Sequence, residues 1–214
     1  MTMKRLIVFS MLSLAVFASC SKDNSLKIVE DVCVQMKDDA FASYCRSEFD
    51  TDKDGKVSMK EASLAEIIDI KEKGISSLKG LNYFFNLKTL DCSQNDLSTL
   101  DISGNPSLNR LYCSENKLKS LDLRKNTRLL YLSASDNDIT SLDLSNNRKL
   151  SLLICSGNRL SSLDISMLHW LSRSYYVEMF GSQKEGTITI TDSKKNWSIF
   201  PSDVEEAGIK WNWK

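Results

Sequence analysis

Histidine is nearly absent from this chain of 214 residues: His169 stands alone. That scarcity removes the commonest general base and almost every multi-histidine metal site. Excess charge is missing too, since 28 lysines and arginines balance 28 aspartates and glutamates. With no basic stripe interleaved with aromatics, the electrostatic footprint of nucleic-acid binding is not there. No nucleophile and base fall into a pattern that would share a pocket, so no enzyme is expected. The one long apolar run, residues 6–18, is too short to cross a bilayer as a permanent helix.

Repetition is what the sequence has in quantity. Residues 87–170 carry four 21-residue units: LKTLDCSQNDLSTLDISGNPS, LNRLYCSENKLKSLDLRKNTR, LLYLSASDNDITSLDLSNNRK and LSLLICSGNRLSSLDISMLHW. Residues two apart in an extended segment point the same way. Leu90 with Cys92, Leu111 with Cys113, Leu132 with Ala134 and Leu153 with Cys155 therefore stack into one core that no unit could form alone. Asn95, Asn116, Asn137 and Asn158 stand where the chain leaves each extended segment, and an inward amide there can bond the backbone groups that the bend leaves unpaired. A second column, Asn105, Asn126 and Asn147, ends at Leu168. Upstream, Ile68, Ile70 and Ile75 precede Leu90, Cys92 and Leu97 by 22 residues, with Lys73 at the asparagine position. This predicts a degenerate first repeat.

These units resemble the leucine-rich-repeat family, LxxLxLxxNxL, in its short nested bacterial form. The resemblance implies a β-rich leucine-rich-repeat solenoid, a right-handed superhelix, in a bacterial surface lipoprotein, and says little about its ligand.

Lys4 and Arg5, the apolar run and Phe17-Ala18-Ser19-Cys20 resemble a bacterial lipoprotein signal. The match implies cleavage before Cys20, lipid attachment at Cys20 and a lipid-anchored place at the outer membrane or cell surface of a Gram-negative-type bacterium. The domains expected are a signal peptide (1–19), a tether (20–26), an N-terminal cap (27–64), repeats (65–86, degenerate, then 87–107, 108–128, 129–149 and 150–170) and a C-terminal cap (171–214).

Residues 27–36, KIVEDVCVQM, alternate as a short strand would, and Asp38 or Asp39 can cap a helix reaching Phe49. The following twelve residues, DTDKDGKVSMKE, match an EF-hand calcium loop. Asp50, Asp52 and Asp54 offer alternating carboxylates, Gly55 the sharp turn, Lys56 its backbone carbonyl, Ser58 a direct or water-mediated contact, and Glu61 a bidentate closure. Only one such loop is present, followed by a helical EASLAEIIDI, and Arg46 departs from the hydrophobic residue usual in the incoming helix. A structural clamp on an EF-hand-like helical cap is expected, not a switch.

If Cys20 carries lipid, five cysteines remain, an odd number. Cys92, Cys113 and Cys155 share an inward column with Ala134 and are expected as small core hydrophobes. Cys33 and Cys45 are placed to staple the N-terminal cap, a pairing the sequence leaves open.

All four tryptophans, Trp170, Trp197, Trp211 and Trp213, follow the repeats, with Tyr175, Tyr176, Phe180 and Phe200 among them. GTITI, NWSIF and GIKWNW are expected as strands of a C-terminal β cap. The aromatics suit either closure of the last turn or a stacking platform for sugars. The column Asp101, Asp122, Asp143 and Asp164 needs its stacked charges offset by nearby N–H groups, serines, Lys119 or Arg124.

Two outward columns flank the inward pairs: Thr89, Arg110, Tyr131, Leu152, and Asp91, Tyr112, Ser133, Ile154. Arg110, Tyr112, Tyr131, Leu152 and Ile154 form the candidate partner-binding patch, unless the C-terminal cap covers it. The function expected is a calcium-stabilised, lipid-anchored surface module that binds a protein or glycan. A structural or assembly component of the cell envelope is the alternative.

Overall fold

The computed structural model describes residues 31–168, 188–192 and 209–213. Cys20, the signal, the tether, the NWSIF segment, His169, Trp170, Tyr175, Tyr176, Phe180, Trp197 and Phe200 lie outside those residues.

Each turn of the repeat contributes one three-residue strand: β1 Ile67–Asp69, β2 Thr89–Asp91, β3 Arg110–Tyr112, β4 Tyr131–Ser133 and β5 Leu152–Ile154. They pair in parallel in chain order, with Ile68, Leu90, Leu111, Leu132 and Leu153 in one register row. The middle residue of every strand is buried and its neighbours face outward, as a period of two requires. The 22-residue offset of the degenerate first repeat is thereby met.

Hydrogen bonding along the solenoid axis continues past the strands. The N–H groups of Ile70, Cys92, Cys113 and Ala134 donate to the carbonyls of Asp91, Tyr112, Ser133 and Ile154, each at 2.8 Å. Two residues on, Glu72, Gln94, Glu115 and Asp136 adopt positive φ, and their N–H groups still reach the next turn, at Ser93, Ser114, Ser135 and Ser156. A left-handed residue with a side chain costs about 1–2 kcal/mol. Retaining the axial hydrogen bond offsets that cost, and only the fourth full repeat uses glycine, Gly157 at φ 64.

The asparagines that follow these left-handed residues form the ladder their spacing predicts. Asn116 Nδ2 donates to the Cys92 carbonyl of the preceding turn at 3.0 Å and to Cys113 and Ser114 of its own, while its Oδ1 accepts the Leu97 N–H at 3.0 Å. Asn137 and Asn158 repeat the pattern. Each amide thus serves the turn before it. Asn95 does so for the first turn, accepting from Lys73 and Ile75, and Lys73 has no preceding turn to serve. Asn105, Asn126 and Asn147 run a second ladder in the same sense.

Ahead of the repeats, α1 (Asp39–Phe49) starts on Asp38, whose Oδ1 accepts the N–H groups of Ala40 and Phe41. It buries Phe41, Ala42 and Cys45, and Phe41 and Phe49 place their rings 6.5 and 5.3 Å from that of Phe84. One apolar core runs from Val32 to Leu168.

Two expectations are corrected here. The described part of the supposed strand at 27–36 is a 3-10 helix, Val32–Gln35, because Asp31 Oδ1 accepts the Cys33 N–H and Met36 N–H donates back to the Cys33 carbonyl. Those bonds close a turn before the alternating residues can lie along a neighbour. The helix expected through EASLAEIIDI is also shorter. Helix α2 covers Met59–Leu64, and Ile67–Asp69 is β1, since long-range pairing with β2 outweighs local helical preference.

The second half of the fourth repeat forms β6 (Ser162–Asp164), which pairs in parallel with β7 (Ile188–Asp192), and β7 with β8 (Ile209–Trp213). The strands expected at GTITI and GIKWNW fall within two residues of these. No helix among the described residues is long and apolar enough to cross a membrane.

Candidate metal loop and strand face

The loop at residues 50–61 is pinned by its own carboxylates. Asp50 accepts the N–H groups of Asp54 (3.1 Å) and Gly55 (2.9 Å), Asp52 accepts that of Asp54 (3.2 Å), and Asp54 accepts that of Lys56 (2.8 Å). Gly55 allows this winding at φ 85, and Lys53 joins it at φ 62. An ionised carboxylate has about four lone-pair directions, so each keeps acceptor capacity to spare. One oxygen each from Asp50, Asp52 and Asp54 lies within 4.8 Å of the others. Three convergent carboxylates of this kind fit a hard, oxygen-seeking cation.

Glu61 is engaged differently. Its Oε1 accepts the Thr51 N–H and hydroxyl at 2.7 Å each, and its Oε2 accepts the Ser58 N–H (2.9 Å) and hydroxyl (2.8 Å). Ser58 Oγ in turn accepts the Glu61 N–H, completing a reciprocal cap on α2. The Ser58 N–H, with the Thr51 and Ser58 hydroxyls, holds the Glu61 carboxyl down at about 2. Ser58 and Glu61 thus close the loop on itself, outside the three-aspartate group. Lys56 contributes its N–H to Asp54.

Residues that sequence reasoning missed anchor this loop to the rest of the chain. Asp31 Oδ1 accepts the Val57 N–H, Val32 N–H donates to the Val57 carbonyl, and Asp31 Oδ2 pairs with Arg46. Burial raises the Asp31 carboxyl, but the Val57 N–H, Arg46 and the Cys33 N–H outweigh it and leave it below the usual range. Arg46, the departure from the loop motif, is therefore the partner of a carboxylate. Asp38 spends its second oxygen on the N–H and hydroxyl of Ser76 in the first turn of the solenoid. The Tyr44 hydroxyl accepts the Asp69 N–H, and the Lys73 ammonium lies 5.7 Å from the Tyr44 ring centre.

On the strand face, the register places Thr89, Arg110, Tyr131 and Leu152 in one row and Asp91, Tyr112, Ser133 and Ile154 in the other. Arg110 is exposed, while Tyr112, Tyr131, Leu152 and Ile154 are half-buried. The Arg110 guanidinium sits 5.1 Å from the Tyr131 ring centre, a cation–π pair across adjacent strands. Ile154 also packs against the core. The first row begins one turn earlier than the sequence suggested, at Ile67, which is 62% exposed. On the opposite half of each turn, Asp101, Asp122, Asp143 and Asp164 are exposed, and each accepts the N–H two residues on. Arg124 forms a fork on Asp122 and holds its carboxyl at about 2. That bonding offsets the stacked charges.

Cys92, Cys113 and Cys155 are buried free thiols in the inward column. Burial pushes Cys92 well up, and Cys113 and Cys155 up to about 12, which makes them inert apolar filler.

Neither the family models nor the curated proteins contain a match to this chain. Solved structures do. The functional domain of InlJ from Listeria monocytogenes, which includes a cysteine ladder, aligns with 78% of this chain at 26% identity and a TM-score of 0.64. The match covers 40% of that chain, so the present protein spans less than half its length. An internalin, InlF, from the same species aligns with 78% of this chain and 68% of its own at 19% identity and a TM-score of 0.55. With a strict repeat, a parallel strand per turn and two asparagine ladders, the chain is a β-solenoid that resembles the leucine-rich-repeat folds of the internalins.

Proposed function

We propose that this protein is a lipid-anchored cell-surface module that binds a protein or glycan on its strand face, and that calcium held by residues 50–61 stabilises it. The observation that carries the binding reading is the Arg110–Tyr131 pair, with Tyr112 beside it, on a face whose outward rows change from Thr89 and Asp91 to Leu152 and Ile154. Aromatic and arginine side chains held side by side are the anchors that binding surfaces favour. A structural envelope component would suit a uniformly polar face, which this is not. Likeness to the functional domain of InlJ supports the same reading.

The calcium would be held by Asp50, Asp52 and Asp54; the loop motif implies Lys56, Ser58 and Glu61 as the rest of the shell, with Glu61 turning from Thr51 and Ser58 to the ion. Bound there, the ion supplies positive charge that neutralises three converging carboxylates. The helix–loop–helix then acts as a clamp: α1 leads into Asp50, α2 begins at the Ser58 cap, and Asp38 fastens α1 to Ser76. Residues 1–19 would direct export and be cleaved away, leaving lipid on Cys20 as the membrane anchor. A Cys20→Ser chain immobilised in millimolar calcium, presented to a glycan array and to extracellular-matrix and envelope proteins, tests the function. Saturable binding lost in Tyr112→Ala with Tyr131→Ala is expected, and no binding to any class would overturn it.

A further inference from the structure

Cys33 and Cys45 meet where the turn before α1 crosses that helix. Cys33 lies in the 3-10 turn Val32–Gln35 and Cys45 on the buried face of α1. The ion pair of Asp31 with Arg46, at 3.1 Å, brackets them, joining the residue two before Cys33 to the residue after Cys45. Both are free thiols of the apolar core, Cys33 at 3% and Cys45 at 0% exposure. Neither takes part in the metal loop or the strand face.

We propose that Cys33 and Cys45 are a disulfide-forming pair, joined by exchange with a donor disulfide of the oxidoreductase or glutathione class. The Cys33 thiolate attacks one donor sulfur and releases one donor thiol, leaving a mixed disulfide on Cys33. The Cys45 thiolate then attacks the Cys33 sulfur and releases the second donor thiol. The two protons given up by the cysteines end on the donor thiols. Two electrons pass to the donor, and one S–S bond is exchanged for another.

The steps balance equally with Cys45 attacking first, and the linkage formed is the same. Burial closes the pair off in the finished fold, which places the reaction before the turn packs onto α1. The inward column offers no competing pair, because Cys92 and Cys113 stand on adjacent parallel turns with their Cβ vectors aligned, a poor geometry for a bridge. The crosslink would fix the turn that holds Val57 to the helix that delivers Asp50. The proposal does not depend on whether the loop takes calcium.

The Cys20→Ser chain leaves five cysteines. It is refolded with chelator in a mixture of reduced and oxidised glutathione, alkylated under denaturing conditions and mapped by mass spectrometry. A Cys33–Cys45 linkage with Cys92, Cys113 and Cys155 alkylated is expected, with a melting temperature about 5–10 °C above that of the reduced chain. The increment should vanish in the Cys33→Ala, Cys45→Ala variant. Five alkylated thiols after oxidative refolding, or glutathione left on Cys33 or Cys45, would overturn it, and the map of the Cys20→Ser chain decides the matter even where the double variant does not fold.

Discussion

Asp31 accepts the Val57 N–H at 3.1 Å, and the N–H of the residue after Asp31 donates to the Val57 carbonyl at 2.8 Å. Both backbone groups of the loop's eighth residue are thereby satisfied from the turn before α1. Calcium sensors normally set two loops side by side; here a turn of the same chain occupies the flank of a single one. A loop braced in this way has little freedom to swing open, which suits a clamp.

Calcium should therefore raise the melting temperature once it exceeds the dissociation constant, at about 10⁻⁴ to 10⁻³ M for extracellular modules. Asp50→Ala with Glu61→Ala should remove the response. Asp31→Ala should lower stability by about 1–3 kcal/mol, because it strands two N–H groups and Arg46. It should also move the calcium midpoint to higher concentration. Wild-type melting that is the same in calcium and in chelator would sink the metal assignment.

Acid should loosen the helices from the solenoid through Asp38. Burial raises its carboxyl, but the Ser76 N–H and hydroxyl and the Phe41 N–H outweigh it, and the net shift is downward. A carboxyl lowered in the folded state contributes stability above its unfolded value, near 3.8, and loses that contribution as pH falls through the lowered folded value. Thermal melts between pH 5 and 2, in chelator, should show a fall below about pH 4 that is shallower in Asp38→Asn. Parallel profiles for the two proteins would rule out this contribution.

The asparagine ladder can be tested at its centre. Asn116→Ala strands the Leu97 N–H in the interior and takes one of two donors from each of the Cys92, Cys113 and Ser114 carbonyls, a loss of about 1–3 kcal/mol. Asn146, exposed and, among the described residues, bonded through its side chain only to Ser145, should tolerate alanine within about 0.5 kcal/mol. Urea midpoints for the two variants that coincide would show that the ladder contributes nothing.

The repeats were legible because each position answers to a short-range rule. Strand alternation makes Leu90 and Cys92 inward, and the 22-residue offset sets Ile68 beside Leu90. What was not legible depends on contacts distant in sequence. Nothing local announces that Asp31 serves Val57, or that Asp38 caps α1 and also holds Ser76. The left-handed turns at Gln94, Glu115 and Asp136 were hidden for a different reason: their one glycine signal, Gly157, is confined to the fourth repeat. In the loop, Asp50, Asp52 and Asp54 converge as the motif implies, while Glu61 serves Thr51 and Ser58.

The proposed export and lipidation can be tested apart from folding. The mature chain should begin at Cys20, carry acyl mass and partition into detergent, and Cys20→Ser should yield unlipidated protein with the same melting temperature. An unmodified N-terminus at another residue in the native protein would contradict the anchor.

The strand face offers the sharpest test of binding. Its rows are the positions that the repeat leaves free, since Leu90, Leu111, Leu132 and Leu153 are committed to the core. Arg110 is exposed over Tyr131, and Tyr112 lies in the adjoining row, so a partner meets a cation stacked on one phenol ring with a second in the next row. Leu152 and Ile154 continue the surface as an apolar rim that is already half-buried, and they have less area left to give. Energetic weight should therefore fall on the tyrosines and the arginine. Tyr112→Ala with Tyr131→Ala should weaken partner capture by more than about 1 kcal/mol, and Leu152→Ser by less. The calcium response of the double variant should match wild type, because neither tyrosine touches the helix–loop–helix. Undiminished capture by that variant, with the fold intact, would move the binding surface off this face.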